Sequence, residues 1–142
     1  MSSLFNVFNV AGSALNAQTI RLNTTASNLA NAESVSGDPT KVYRARHPVF
    51  QTMLDDSDPG IDGAGVSSGV RVLGIVESAA PPTMRYQPDD PQANKDGYLY
   101  ASNVNSIEEM TNMISANRSF ATNVEAINTA RDLLLKVISM GH

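Results

Sequence analysis

Apolar residues recur every seven positions in two widely separated parts of this 142-residue chain. Phe8, Leu15, Leu22 and Leu29 form one stripe, and Met113, Phe120, Ile127 and Leu134 form the other. A seven-residue apolar repeat is what a helix shows when it lies along another helix for several turns. A Gly- and Pro-rich stretch separates the two runs, so the pattern predicts that the two helices meet. No catalytic group lies on either stripe.

The first helix is expected over residues 4–31, about 40 Å long at ~1.5 Å per residue, with Ser2 or Ser3 as its cap. Small residues (Ala11, Gly12, Ala14, Ala26, Ala32) flank its stripe and allow a neighbour to approach closely. Its polar face consists of Asn9, Asn16, Gln18, Asn23, Thr24, Thr25 and Asn28, with Arg21 as the only charge before Glu33. Such residues are mediocre helix formers because their side chains compete for backbone hydrogen bonds. A solvated face would use Glu and Lys; an amide-rich one suits burial among neighbours, and a helix that is weak alone. The last helix is expected over residues 106–140, opened by Ser106 and Glu109 as a capping box and closed by Gly141. Met110, Met113, Phe120, Val124, Ile127, Leu134 and Ile138 are expected on one continuous face, interrupted by the amides of Asn117 and Asn123.

Turn formers are dense between the helices: Gly37-Asp38-Pro39, Asp58-Pro59-Gly60, Asp62-Gly63, Pro81-Pro82 and Asp96-Gly97. Short β-like runs lie among them at 42–51, 70–77, 83–86 and 98–101. The expected fold class is therefore α+β: long N- and C-terminal helices forming an antiparallel coiled coil, with a small, mostly antiparallel β insert between them. Residues 1–32 and 104–142 form the coiled-coil domain, and residues 33–103 the insert, with the acidic stretch 55–69 as a mobile loop.

Composition narrows the function classes. With 42% hydrophobic residues but 6% aromatic and no Trp, a thin, extended core is expected. The net charge of −4 includes no dense positive face, which argues against nucleic acid. There is no cysteine, which removes disulfides and thiol catalysis together. No run approaches the ~20 apolar residues of a membrane span, so no membrane insertion is expected. The opening residues lack the basic and apolar regions of a cleaved signal peptide.

Motifs that could carry chemistry fail on spacing. His47 and His142 have no companion ligands. Asp58, Asp62 and Gly63 fit the start of a calcium loop, but Gly60 and Gly69 fall where position three and the bidentate Glu belong. Gly63-Ala64-Gly65 precedes a strand rather than opening a helix, which rules out a dinucleotide turn. No serine sits in a nucleophile elbow. The sequons at Asn23 and Asn117 fall within helices. The expectation is a protein that is not an enzyme and has no catalytic residue, cofactor or metal.

The ends carry a family resemblance. Ser13-Ala14-Leu15-Asn16-Ala17-Gln18, Arg21-Leu22-Asn23 and Ala26-Ser27-Asn28-Leu29-Ala30-Asn31-Ala32 resemble the N-terminal signature of the bacterial flagellar axial proteins. Asn103-Val104-Asn105, Glu108-Glu109-Met110 and the run from Asn112 to Phe120 resemble their C-terminal motif. In the middle, Tyr43-Arg44-Ala45, Gly69-Val70-Arg71-Val72, Ile75-Val76-Glu77, Tyr86-Gln87-Pro88 and Asp96-Gly97-Tyr98 are similar to the proximal rod members. Phe120 stands where Tyr is usual, and Ala121-Thr122-Asn123 replaces the commoner Gln-Ala-Asn. The resemblance implies a structural subunit of the basal-body proximal rod, exported by the flagellar type III apparatus and located in the basal body across the periplasm. It implies self-association in the rod and partnership with FlgB, FlgF, FlgG, the MS ring and its adapter FliE. The assembly interface is expected to use Phe8, Leu15, Leu22, Asn28, Leu29, Asn31, Met113, Asn117, Phe120, Val124, Ile127 and Leu134.

Overall fold

The structure, a computed structural model, describes residues 2–59 and 65–140. Two long helices bracket five strands: α1 (Ser2–Ala30), β1 (Val35–Ser36), β2 (Arg46–Pro59), β3 (Gly65–Glu77), β4 (Thr83–Tyr86), β5 (Tyr98–Ala101) and α2 (Ser106–Met140). The strands form a three-stranded sheet in the order β1-β5-β4 and a two-stranded ribbon of β2 and β3. Fold class is thus α+β, with two long helices packed together and a small antiparallel insert between them.

One feature of the insert and one of the helix that follows it differ from expectation. The acidic stretch 55–69 is not a loop throughout, because residues 55–59 belong to β2 and residues 65–69 to β3. Asp and Ser have little intrinsic strand preference, and ladder pairing overrides it. The rest of that stretch, 60–64, lies outside the described residues, and so does the expected cap at Gly141. The cap of α2 also differs from expectation by one residue. Asn105 Oδ1 accepts the N–H groups of Ile107 at 3.1 Å and Glu108 at 3.4 Å, so Asn105, rather than a Ser106–Glu109 box, caps α2. Glu109 is instead buried in the first turn, where the helix dipole favours a carboxylate.

The chain packs as two compact units, each containing parts of both helices and of the insert. One comprises Met1–Ile20, Val49–Gly74 and Ser115–His142, the other Arg21–Pro48 and Ile75–Ile114.

In the first unit the buried side chains are small: Ala11, Ala17, Ala116 and Ala130. Phe8, Leu15, Phe120, Ile127 and Leu134 are half-buried. Alanines at these positions bring two helices close together, which is how a chain poor in bulky aromatics closes a seam. The ribbon is tied to α1 at one point, where the Val70 N–H donates to Ser13 Oγ at 3.0 Å. Gly69, with φ +142°, makes this approach possible; a Cβ there would collide with Ser13 Oγ and crowd the Met53 methyl.

In the second unit, β5 is the central strand, with Leu99 and Ala101 buried. Val35 and Ser36 of β1 pair antiparallel with Ala101 and Tyr100, while β4 pairs from Thr83↔Ala101 to Tyr86↔Tyr98. Gly97 turns the chain between β4 and β5 with φ +79°. In the turn after β1, Asp38 Oδ1 accepts both the hydroxyl and the N–H of Thr40. The Thr40 hydroxyl, then its N–H, then the charge of Lys41 hold the Asp38 carboxyl below its ordinary range. Across both units, Leu99 and Asn28 are the largest fully buried side chains among the described residues, so the core is thin, as the composition implied.

Candidate assembly interface

On α1 the buried and half-buried positions follow the seven-residue repeat. Phe8, Leu15, Leu22 and Leu29 alternate with Ala11, Gln18 and Thr25. On α2 the matching positions are Met113, Phe120, Ile127 and Leu134, alternating with Glu109, Ala116, Asn123 and Ala130. These two sets form the seam between the helices. In the second unit, Arg21 Nη2 donates to Asn112 Oδ1 at 3.2 Å across it. In the first, Val7 and Val10 line one groove with Asn123 and Ala126.

The face expected to be continuous on α2 is in fact two. Met110 is exposed on the side away from the seam and Val124 on its flank, while Ile138 keeps the azimuth of the seam residues and is exposed at the helix end. The sequence reading merged them with the seam residues because α2 carries apolar residues around most of its circumference. Ile107 and Ile114 join Met110 on that outer side in the second unit, 77% and 55% exposed. They were missed as candidates, although their i, i+3, i+7 spacing was visible in the sequence. Of the expected interface residues, Asn117 and Val124 are exposed.

Asn28 occupies a different place from the one expected. It is 1% exposed and hydrogen-bonded throughout within the second unit. Its Nδ2 donates to the Arg46 carbonyl at 2.8 Å, and its Oδ1 accepts the Arg46 N–H at 2.9 Å and the Tyr43 hydroxyl at 2.9 Å. At 1% exposure this amide is out of reach of a neighbouring chain. Asn31 folds back on its own helix end, donating from Nδ2 to the Ser27 carbonyl at 2.8 Å.

Around Asn28 the second unit builds a polar junction. The Arg46 guanidinium lies 5.4 Å from the centre of the Tyr43 ring and reaches Glu77 Oε1 at 3.0 Å. The ion pair is half exposed and contributes less than about 1 kcal/mol. Asn103, just before α2, makes a second grip. Its Oδ1 accepts the Ala45 N–H at 2.7 Å and its Nδ2 donates to the Ala80 carbonyl at 2.8 Å. The Ala45 carbonyl in turn accepts the Ser78 N–H at 2.7 Å. Two asparagines, one from each helix end, thereby hold the base of the β2–β3 ribbon.

Among the described residues, no group of three or more acidic, His or Cys side chains could hold a metal ion. Asp55, Asp56 and Asp58 lie along β2, and Asp62 is outside the described residues. No described helix is long and apolar enough to cross a membrane. What the arrangement offers is packing surface.

Comparison with known proteins agrees with that surface. Residues 8–37 match the family of flagella basal body rod proteins, and residues 95–140 match the C-terminal region of the flagellar basal body rod FlgEFG proteins. The flagellar basal-body rod protein FlgC of Salmonella typhimurium is 44% identical over 139 residues, covering 98% of both chains. FlgC of Yersinia enterocolitica is 45% identical over the same length, and FlgC of Bacillus subtilis 34% identical over 148 residues, covering 96% of this chain and 97% of its own. The chain belongs to the FlgC family of flagellar basal-body rod proteins.

Proposed function

We propose that this protein is a non-enzymatic structural subunit of the proximal rod, part of both the drive shaft and the wall of the export channel, and so contributes to motility. The single observation that carries the reading is identity to FlgC proteins over nearly the whole chain, with both helices and the insert included. The fold supports it physically. An antiparallel helix pair with an alanine-lined seam and an apolar outer side is a subunit that completes its packing on neighbours. Its partners are other rod proteins (FlgB, FlgF, FlgG), the MS ring with its adapter FliE, and further copies of itself. It is exported by the flagellar type III apparatus without a cleaved signal peptide and lies in the basal body, across the periplasm. Seam residues such as Leu22 and Ile127 act by shaping the helix pair, and outer residues such as Asn117 and Val124 act by contact.

The test is complementation. Expressed in a motile bacterium lacking its own homologous rod subunit, the chain should restore swimming, and a tagged copy should appear in isolated basal bodies. Export-competent cells that retain the chain outside the basal body and stay non-motile would overturn the reading.

A further inference from the structure

In the second unit, the hydrogen bonds at the two ends of β5 decide which way the neighbouring backbone points. The Ser102 N–H, just past β5, donates to the Ser34 carbonyl at 3.0 Å, and the Gln87 N–H donates to the Gly97 carbonyl at 2.9 Å. By the alternation of an antiparallel ladder, even-numbered residues of β5 bond to β1 and odd-numbered ones to β4. Thr83 and Arg85, opposite Ala101 and Leu99, therefore turn their N–H and C=O groups toward β5. Met84 and Tyr86 turn theirs the other way. β4 is the last strand of its sheet and is exposed along its whole length, so these groups face an open edge. Pro82 and Pro88, two residues before and after, carry no N–H, which limits the open ladder to two donors.

The side chains of the same strand divide by face. Met84 lies opposite Tyr100 and Tyr86 opposite Tyr98, and the four form a shelf on the side away from buried Leu99. Met84 is 59% and Tyr86 64% exposed. The Tyr86 ring meets Tyr98 edge to face at 5.2 Å between centres, and a Cβ on Gly97 would lie 3.0 Å from it. The shelf is thus held in place by its own strands. Arg85 stands between the two shelf residues on the opposite face, exposed and without an ion-pair partner among the described residues.

We propose that β4 is a docking edge for an extended segment of another protein, added antiparallel, in which an acidic residue has a large apolar residue on each side. The open backbone groups dictate an extended occupant, and the two-residue period of a strand dictates its side chains. Its central residue falls opposite Arg85 and its neighbours fall on Met84 and Tyr86. The position opposite Arg85 is non-hydrogen-bonded, where side chains approach most closely, so opposite charge is favoured there and like charge penalised. A second copy does not supply the segment. No acidic residue of this sequence has a large apolar residue on both sides, and two β4 strands in this register would set Arg85 against Arg85. The flanking prolines keep the edge from templating a longer sheet. A contact this short is weak and transient.

The purified full chain tests this with a synthetic Thr-Val-Glu-Val-Thr peptide. At millimolar peptide, amide hydrogen exchange read by NMR should slow about tenfold at Met84 and Tyr86 and stay unchanged at Arg85, whose N–H already faces β5. Slowing at Arg85, or at neither shelf residue, overturns the docking edge. The peptide with Lys in place of Glu should bind about fivefold more weakly, and Arg85→Glu should reverse that order. Equal affinity of the parent chain for both peptides overturns the acidic partner. Met84→Pro removes one outward donor and leaves the inward ladder intact, so it should weaken binding about tenfold, while Met84→Leu should bind as the parent does. Undiminished binding by Met84→Pro overturns docking through the backbone. These readouts use no assembled rod, so their failure leaves the rod reading standing, and failed complementation leaves this edge untouched.

Discussion

Asn28 pairs with the backbone of Arg46 as a neighbouring strand would. One amide nitrogen donates to the carbonyl at 2.8 Å, and the amide oxygen accepts the N–H at 2.9 Å. The residue that leaves α1 thereby sets where β2 begins, 18 positions later. Tyr43, donating to the same oxygen, fixes the loop between them.

Asn28→Ala should be among the most damaging single changes in the second unit. It leaves the Arg46 N–H and C=O without their partner in a buried site, at about 1–3 kcal/mol per stranded group before relaxation, and takes from the Tyr43 hydroxyl one of its two partners, the other being Ser27 Oγ. A loss of about 2–4 kcal/mol is expected, read as a lower urea midpoint with little change in slope. Tyr43→Phe keeps the ring under Arg46 and loses the hydroxyl's bonds to Asn28 and Ser27, so it should cost about 1–2 kcal/mol. Equal stability of Asn28→Ala and the parent chain would show that the junction forms without the amide.

The start of α2 separates two residues that the sequence makes equally plausible. Asn105→Ala should destabilise by about 1 kcal/mol, because Ile107 and Glu108 lose their acceptor. Ser106→Ala, inside the helix, should change stability by less than about 0.5 kcal/mol. The reverse order in chemical denaturation would restore the Ser106 capping box.

These two asparagines also show what the sequence could and could not reveal. Both helices were legible because the seven-residue period persists along each of them. The role of Asn28 was not legible: an amide on a helix face looks the same whether it meets another chain or a backbone 18 residues away. The cap slipped by one because Asn105 and Ser106 are both cap formers. The ribbon was truncated because its strands run through Asp, Ser and Gly, whose local preference is for turns, and pairing is a tertiary effect. On α2, apolar residues on two sides were read as one face, which hid the distinction between seam and outer surface.

Gly69 tests the close approach of ribbon and α1. Gly69→Ala places a methyl against Ser13 Oγ and demands φ +142° of a residue with a Cβ. Strain of about 1–3 kcal/mol is expected, with loss of the Val70–Ser13 hydrogen bond if the strand moves away. Ser13→Ala removes that bond and the hydroxyl's own bond to the Val10 carbonyl, and should cost about 1 kcal/mol. Made together, Ser13→Gly should recover part of the Gly69→Ala loss, since it clears the atom a new Cβ would strike. Additive losses in the double mutant would show that the strain is local to the backbone of residue 69.

Gln18 offers the opposite sign. It occupies a seam position on α1 between Leu15 and Leu22, and its Oε1 is buried with no hydrogen-bond partner among the described residues. A stranded acceptor of this kind costs about 1–3 kcal/mol, and an apolar side chain of similar length removes the cost. Gln18→Met, which matches its length and flexibility, should therefore raise stability by about 1 kcal/mol, or a few degrees in Tm. Gln18→Ala should not, because the vacated volume offsets the gain. The same substitution has a functional readout. If the seam only holds the two helices together, Gln18→Met should assemble and swim as the parent does. Reduced swimming despite a more stable chain would mean that the seam opens or shifts on assembly and that the amide finds its partner there.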